Sequence, residues 1–304
     1  MEKIKKIELV EVCPRDGLQN EKNLISTPDK LRLIEQAIAY GARRIEVTSF
    51  VNPRRVPQLA DADELAALLP QRDDVTYIGL VLNQRGAERA IAAGLDELGA
   101  VCVASDSFGV RNQGQNSAES LDVARSIVDM AKSSGRGGQI TIATAFGCPF
   151  EGEVRHDHVL EMAKRAADSQ PREIALADTI GVATPGEVAD LVGRVAEAVA
   201  GLPVRVHFHN TRGTGLANVW AAIGAGARTV DAALGGIGGC PFAPGAAGNV
   251  ASEDVAYMLE RSGIATGYNL PQMVAAAQWL GGVMERSLPA MVSKAPLFPQ
   301  QLAE

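Results

Sequence analysis

Short apolar runs alternate with longer amphipathic segments along most of the chain. Apolar runs of about 4 to 8 residues are typical of buried strands, whereas apolar positions three or four apart are typical of helices. Between residues 29 and 40, for example, Leu31, Ile34 and Ile38 fall on one helical stripe. Eight runs predict strands, at residues 7–13, 44–49, 77–82, 99–104, 140–145, 173–177, 204–209 and 229–234.

The alternation of strands and helices predicts the fold class, which is α/β. Eight β–α units in about 270 residues are typical of a (β/α)8 barrel, the TIM barrel, and a doubly wound open sheet is the alternative. We therefore expect a single catalytic domain over residues 1–304. The barrel is expected from about residue 5 to 270, and extra C-terminal helices from about 270 to 304.

Polar residues within the predicted strands support the barrel. Side chains two apart point to the same side of a strand. Arg205, His207 and His209 therefore share one face, and the opposite apolar face suits a cover of helices. Inward polar side chains near the carboxyl end of a strand are where TIM-barrel enzymes carry out their chemistry.

Composition and charge exclude several classes of function. The 304 residues are 46% hydrophobic and 21% charged, as in an ordinary globular protein. A formal net charge of −7 argues against a nucleic-acid partner. The four cysteines show no C-x-x-C spacing, which favours reduced thiols in a cytoplasmic protein. We see no signal peptide and no apolar run long enough to span a bilayer, so no membrane contact is expected.

The two histidines at 207 and 209 are the strongest chemical signal. Both imidazoles can approach one point, and Asp16 follows Arg15 at the end of the first predicted strand. One carboxylate and two imidazoles leave positions open for a substrate on a catalytic metal. Oxygen and nitrogen ligands without a thiolate suit Mg²⁺, Mn²⁺ or Zn²⁺, and the residues alone do not choose among them. The competing interpretations are a surface ion pair for Arg15 and Asp16, and histidines satisfied by polar groups of the barrel.

Two further acids are candidates for the site. Glu46 is predicted to face inward, and a buried carboxylate needs a partner. Arg15 is the nearest candidate partner, so Glu46 is expected to orient it. Asp178, at the end of the sixth strand, is a candidate base or an acceptor for a metal-bound histidine. The alternative for Asp178 is a turn-forming residue before Thr179.

A glycine-rich loop follows the eighth predicted strand, from Gly235 through Cys240 to Asn249. Such a loop at the mouth of a barrel suits a lid or a phosphate site. Cys240 on this loop is a candidate for proton transfer, and Asn249 is a candidate for an oxygen ligand to the metal. The alternative is a glycine-rich turn with an incidental thiol.

Together these segments resemble the 3-hydroxy-3-methylglutaryl-CoA (HMG-CoA) lyase family over nearly the whole chain. The longest shared motif is Gly-Gly-Cys-Pro-Phe-Ala-Pro-Gly-Ala-Ala-Gly-Asn at residues 238–249. The other motifs lie at residues 12–21, 45–51, 147–152, 177–181 and 207–218.

The resemblance implies a divalent-metal-dependent carbon–carbon lyase that cleaves HMG-CoA to acetyl-CoA and acetoacetate, as in leucine degradation. Its partner is then an acyl-CoA substrate, and its expected assembly is a homo-oligomer, a dimer or larger. The implied metal ligands are Asp16, His207, His209 and Asn249. The implied catalytic residues are Arg15, which stabilises the enolate, Cys240, which transfers a proton, and His207, Glu46 and Asp178. Arg111 and Asn112, after the fourth strand, are candidates for holding the phosphates of CoA.

The chain departs from the usual family pattern at several positions. Asn210, Arg212 and Thr214 stand where the family usually has Asp, Tyr and Gln, and Cys13 stands where it usually has Gly. Because Arg212 is a candidate for binding a differently placed carboxylate, a related 3-hydroxy-3-acyl-CoA is an alternative substrate.

Two other functions compete with the lyase. A Claisen-condensing synthase of the isopropylmalate or homocitrate type shares the barrel, the metal and the His-x-His motif. The Gly-Gly-Cys-Pro loop and the absence of room for a regulatory domain argue against it. A non-catalytic barrel that only binds a CoA thioester or a metal is the third possibility, and the complete set of chemical residues argues against that.

Overall fold

The computed structural model describes residues 4–239, 248–296 and Phe298. Eight parallel strands form a closed barrel in sequence order, and the last strand pairs with the first. The predicted TIM barrel is therefore confirmed, and the open sheet is wrong. The strands are β1 Glu8–Glu11, β2 Arg44–Ser49, β3 Thr76–Val81, β4 Glu97–Val103, β5 Gly137–Ala143, β6 Ile174–Asp178, β7 Val204–Phe208 and β8 Thr229–Ala232.

Each of the eight predicted runs overlaps one of these strands. The largest differences in position occur where polar residues or glycines begin a strand. β4 begins at Glu97 and β5 begins at Gly137, two and three residues before the predicted starts at 99 and 140. The Glu97 side chain is buried inside the barrel. Because it is charged, hydropathy alone does not identify Glu97 as a strand residue.

Helices surround the barrel and cover the apolar outer faces of its strands. Most begin at residues that cap backbone N–H groups: Asn116 and Glu119 form a capping box at α5, and Thr184 and Glu187 form one at α7. The helices are α1 Thr27–Ala39, α2 Ala62–Leu68, α3 Gln84–Ala92, α4 Asp106–Gln113, α5 Ser117–Ser133, α6 His156–Ala167, α7 Pro185–Ala198, α8 Gly215–Ala225, α9 Ser252–Arg261 and α10 Leu270–Val283.

The C-terminal segment folds back onto the barrel. Helix α10 packs against α1, where the guanidinium of Arg32 lies 4.9 Å from the ring centroid of Trp279. A short 3-10 turn at Val292–Lys294 follows. Extra C-terminal helical structure is thus present where it was predicted. Within the described residues, no helix combines the length and the apolar character needed to cross a membrane.

Candidate active site

A cavity of about 910 Å³ opens at the carboxyl ends of the strands. This is the end of the barrel at which TIM-barrel enzymes place their active sites. Seven of the residues that the sequence singled out line this cavity: Arg15, Asp16, Glu46, Arg111, Asn112, His207 and His209.

Arg15 and Asp16 lie in a tight π-type turn, Cys13–Gly17, that directly follows β1. The Arg15 guanidinium lies between two carboxylates: Nη1 is 2.5 Å from Asp16 Oδ1, and Nη2 is 2.8 Å from Glu46 Oε2. Arg15 and Glu46 are both buried. The predicted pairing of Glu46 with Arg15 is therefore present, and the interpretation of Arg15 and Asp16 as a surface ion pair is wrong.

The two histidines converge on Asp16. His207 Nε2 lies 3.8 Å from Asp16 Oδ2, and His209 Nε2 lies 3.7 Å from the same oxygen. Both separations are longer than a hydrogen bond. One ligand atom from each of the three residues lies within 4.8 Å of the other two. One carboxylate and two imidazoles, arranged around one point without bonding each other, fit a divalent metal ion.

Asn249 lies beside this cluster. Its Nδ2 donates to Asp16 Oδ2 at 2.8 Å and to the carbonyl oxygen of Ile237 at 3.0 Å. An isolated β-bridge between His209 and Asn249 holds the two segments together. The structure thus brings Asn249 to the predicted metal set, with its amide nitrogen, not its oxygen, on the Asp16 carboxylate.

Burial and neighbouring charges shift the pKa values of this cluster. Burial alone would raise the pKa of Asp16, but the charges of Arg15 and the two histidines hold that pKa well below its usual range. Burial alone would lower the pKa of His207, but a hydrogen bond to Asp231 and the charge of Asp16 raise it. The Asp16 carboxylate is therefore ionised at neutral pH and available as a ligand.

Asp231 is a site residue that the sequence analysis missed. It lies on β8, in register with His207 on β7, and its Oδ2 is 3.0 Å from His207 Nδ1. The alternation within the predicted strand 229–234 already turns Asp231 to the same side as Thr229. Only the pairing of β7 with β8 reveals that Asp231 meets His207.

Comparison with known proteins agrees with this geometry. A family model described as HMGL-like matches residues 6–280. The chain belongs to the HMGL-like family. It is 44% identical to the (R)-citramalyl-CoA lyase of Chloroflexus aurantiacus, over 97% of this chain and 96% of that protein. It is 38% identical to a hydroxymethylglutaryl-CoA lyase of Bacillus subtilis, over 94% of this chain and 96% of that one.

A solved structure supports the same placement. The HMG-CoA lyase of Acinetobacter baumannii, in complex with coenzyme A and 3-methylmalate, superimposes with a TM-score of 0.92 at 38% identity. The match covers 99% of this chain and 98% of that chain. The predicted family is confirmed, and this HMGL-like protein is an enzyme, a carbon–carbon lyase.

Asp178 lies beside the cavity of the HMGL-like barrel without being among the described residues that line it. Its two carboxylate oxygens accept backbone N–H groups of Val182 and Ala183, each at 2.9 Å. Burial raises the pKa of Asp178. These contacts are those of a turn-forming residue. They organise the loop after β6, from which the neighbouring Thr179 reaches the cavity.

The three departures from the usual family motif lie outside the cavity. The Arg212 guanidinium donates to the carbonyl oxygens of Ile180 and Gly181, at 3.1 and 2.8 Å. Asn210 Oδ1 accepts the N–H of Gly215, and Thr214 Oγ1 donates to a backbone carbonyl oxygen. None of the three belongs to the described residues that line the cavity. Arg212 and Thr214 join the loop after β7 to the loop after β6, whereas Asn210 bonds within the segment after β7. The structure therefore does not place Arg212 where it would bind a substrate carboxylate.

Arg111 and Asn112 lie at the end of α4, on the cavity wall. The Arg111 guanidinium stacks on the ring of Phe150, 4.2 Å from its centroid. The carbonyl oxygen of Asn112 accepts from Arg55 Nη1 at 3.0 Å. Arg55 also lines the cavity and was not predicted, because it lies in an irregular loop that no motif marks.

Cys240 and Cys13 have no observed part in the chemistry of the site within the described part of the chain. Cys240 lies outside the described residues, so its role in proton transfer stays a prediction. Cys13, the other departure, is fully buried and is the first residue of the turn that carries Arg15. Burial and nearby carboxylates raise its pKa well above the usual value, which makes it an unreactive thiol.

Proposed function

We propose that this protein is a divalent-metal-dependent lyase that cleaves a carboxylated 3-hydroxy-3-methylacyl-CoA and releases acetyl-CoA. One observation carries the proposal: the Arg15 guanidinium and the cluster of Asp16, His207 and His209 face the same cavity. A retro-Claisen cleavage requires a Lewis acid at the hydroxyl oxygen and a cation at the developing enolate. The proposed metal ligands and Arg15 would supply these two groups.

Asp16, His207 and His209 would hold the ion, with Asn249 as the fourth proposed ligand. Oxygen and nitrogen donors without thiolate favour Mg²⁺ or Mn²⁺, with Zn²⁺ as an alternative. When bound, the ion supplies Lewis acidity to the hydroxyl and carbonyl oxygens of the substrate.

The cleavage takes one proton from the substrate and returns one to the acetyl-CoA fragment. The tertiary hydroxyl gives its proton to a base, and the oxygen electron pair left behind forms the new C=O bond as the adjacent C–C bond breaks. The carbinol carbon thereby becomes the ketone of an oxo acid. The bonding pair passes to the acetyl-CoA fragment as an enolate, which then takes up a proton. Arg15 stabilises the enolate oxygen, Glu46 keeps the guanidinium in place, and Cys240 supplies the proton.

We propose HMG-CoA as the substrate, with acetoacetate as the second product. The named activities of relatives at 38% identity support it. The departures at Asn210, Arg212 and Thr214 do not argue against it, because those side chains lie outside the cavity.

The second candidate is (R)-citramalyl-CoA, which the 44% identical relative is named for. The two thioesters differ by one methylene between the carbinol carbon and the free carboxylate. Citramalyl-CoA would give pyruvate in place of acetoacetate, with the same acetyl-CoA. A single methylene is a small difference for a pocket to discriminate, worth about 1 to 3 kcal/mol.

The oxo-acid product distinguishes the two candidates. Purified protein with Mg²⁺ or Mn²⁺ is given each thioester separately, and acetoacetate and pyruvate are measured by their specific NADH-linked dehydrogenases. We expect the higher kcat/KM with HMG-CoA. A higher kcat/KM with citramalyl-CoA would transfer the assignment to that substrate. Acetyl-CoA consumption with a 2-oxo acid, without cleavage of either thioester, would support the condensing synthase instead.

A further inference from the structure

Asp231 supports His207 from the side opposite Asp16. The Asp231 side chain is buried on β8, and its Oδ2 lies 3.0 Å from His207 Nδ1. The other ring nitrogen, His207 Nε2, faces Asp16 at 3.8 Å. The imidazole thus lies between two carboxylates, with a hydrogen bond to Asp231 only.

Arg205 in turn holds Asp231. Its Nε donates to Asp231 Oδ1, and its Nη1 donates to Gln139 Oε1 and lies 3.3 Å from Glu173 Oε1. Glu173 Oε1 also accepts from Arg44 Nη2 at 2.7 Å. Because these side chains are all buried inside the barrel, the position of Asp231 is fixed by a network of charges beneath the cavity.

The two histidines of the cluster differ in this support. His209 Nδ1 is buried and has no hydrogen-bond partner among the described residues. His207 Nδ1, by contrast, is paired with a carboxylate that itself has a fixed cationic partner. Of the two imidazoles, His207 is therefore the one whose Nδ1 is fixed by a carboxylate of the barrel interior.

We propose that Asp231, held by Arg205, is a positioning residue that sets the tautomer and orientation of His207. With its proton on Nδ1 and donated to Asp231, His207 presents an unprotonated Nε2 towards Asp16. That nitrogen is the one that a metal needs as a ligand. The inference rests on the proposed metal set, and it concerns Asp231 and Arg205, which are not among the proposed metal ligands.

Asp231→Asn is the sharpest test, because it keeps the shape of the side chain and removes its charge. An amide can offer its NH₂ group to Nδ1, which would favour the opposite tautomer, with the proton on Nε2. We expect Mn²⁺ to bind metal-free Asp231→Asn about 10- to 100-fold more weakly than wild type by calorimetry. Glu173→Gln is the matched control from the same network, with an expected change below about threefold.

Removing the Asp231 charge leaves Arg205 with Glu173 as its remaining carboxylate partner, at 3.3 Å, which endangers the fold. The double variant Asp231→Asn/Arg205→Gln removes both charges and is expected to bind Mn²⁺ as weakly as the single variant. Circular dichroism and thermal unfolding of the metal-free proteins check that each is folded. A folded Asp231→Asn or double variant with wild-type Mn²⁺ affinity would overturn the proposal.

The tautomer itself gives a readout that does not depend on metal. In metal-free wild type at alkaline pH, long-range ¹H–¹⁵N NMR is expected to show His207 protonated on Nδ1, with the His207→Ala spectrum identifying the signals. In Asp231→Asn the Nε2-protonated form should increase. An unchanged tautomer would overturn the positioning role. Wild-type protein that shows the Nδ1 tautomer but binds no Mn²⁺ would instead overturn the proposed metal function.

Discussion

Glu46 Oε2 accepts a hydrogen bond from Arg15 Nη2 at 2.8 Å, and both side chains are buried at the mouth of the barrel. The second terminal nitrogen of Arg15 is paired with Asp16. The guanidinium is therefore oriented before a substrate arrives. Preorganised charge of this kind acts most strongly on charge that develops in the transition state.

Replacing Arg15 by Ala should reduce turnover without abolishing metal binding. We expect kcat to fall about 100- to 1,000-fold, as when one stabilising donor for a developing oxyanion is removed. Arg15→Lys should recover only part of the rate. An ammonium group cannot pair with Asp16 and Glu46 at once through separate nitrogens, as the planar guanidinium does.

Steady-state kinetics and Mn²⁺ titration of the same preparations check the role of Arg15. Arg111→Ala serves as the control from the opposite cavity wall, where a rise in KM with little change in kcat is expected. If Arg15→Ala kept kcat within a few-fold of wild type, Arg15 would have no part in stabilising the enolate.

Replacing Arg212 by Met should affect stability more than substrate binding. The guanidinium donates to two carbonyl oxygens of the loop after β6. Loss of these bonds at an exposed site should lower the free energy of unfolding by about 1 kcal/mol. KM for either thioester should stay within about threefold of wild type, since a residue that does not contact the substrate leaves its binding unchanged. A large rise in KM with unchanged thermal stability would mean that Arg212 reaches the substrate after all.

Replacing Arg44 by Met should destabilise the barrel strongly. Arg44 is fully buried, and its guanidinium contacts Glu97 at 2.6 Å and Glu173 at 2.7 Å. Its removal leaves buried carboxylates without their cation, which typically costs about 3 to 5 kcal/mol. Urea unfolding followed by circular dichroism measures the change. Arg165→Met, which breaks an exposed pair with Asp122, is the control and should change little.

Glu253 makes stability depend on pH. Burial raises the pKa of Glu253 from 4.5 to about 8, although the N–H of Gly235 opposes the shift. Between these two values the folded protein keeps a proton that the unfolded chain has released. The contribution of Glu253 is therefore fully present below pH 4.5 and is lost as the pH rises towards about 8.

Glu253→Gln removes this titration. The melting temperature of the variant minus that of wild type should increase steadily over the same pH interval. Asp129→Asn, at an exposed carboxylate on α5, is the control for the loss of one acidic group and is measured at the same pH values. A constant difference for Glu253→Gln would place the pKa of Glu253 near its usual value in the folded protein.

The barrel could be predicted because helices cover the outer faces of its strands and make them apolar. The first residues of β4 and β5 could not, because Glu97 and Gly137 stand where hydropathy expects apolar side chains. The buried Arg44 guanidinium compensates the charge of Glu97, and that contact joins residues far apart in sequence.

The placement of Asp16, His207 and His209 at one point could be predicted, because strand parity and barrel topology determine which side chains meet at the mouth. The partnership of Asp231 with His207 needed the register between two strands. The direction of Arg212 depended on the conformation of two loops, which no periodic pattern encodes.

The most direct test of the account is acetyl-CoA release from HMG-CoA and from (R)-citramalyl-CoA, each with Mg²⁺ or Mn²⁺ and with EDTA. We expect release from at least one thioester, its loss with EDTA, and its return when excess metal is added. Asp16→Asn should remain inactive under all of these conditions. Rapid release that EDTA leaves unchanged, or no release of acetyl-CoA from either thioester by folded protein loaded with metal, would contradict it.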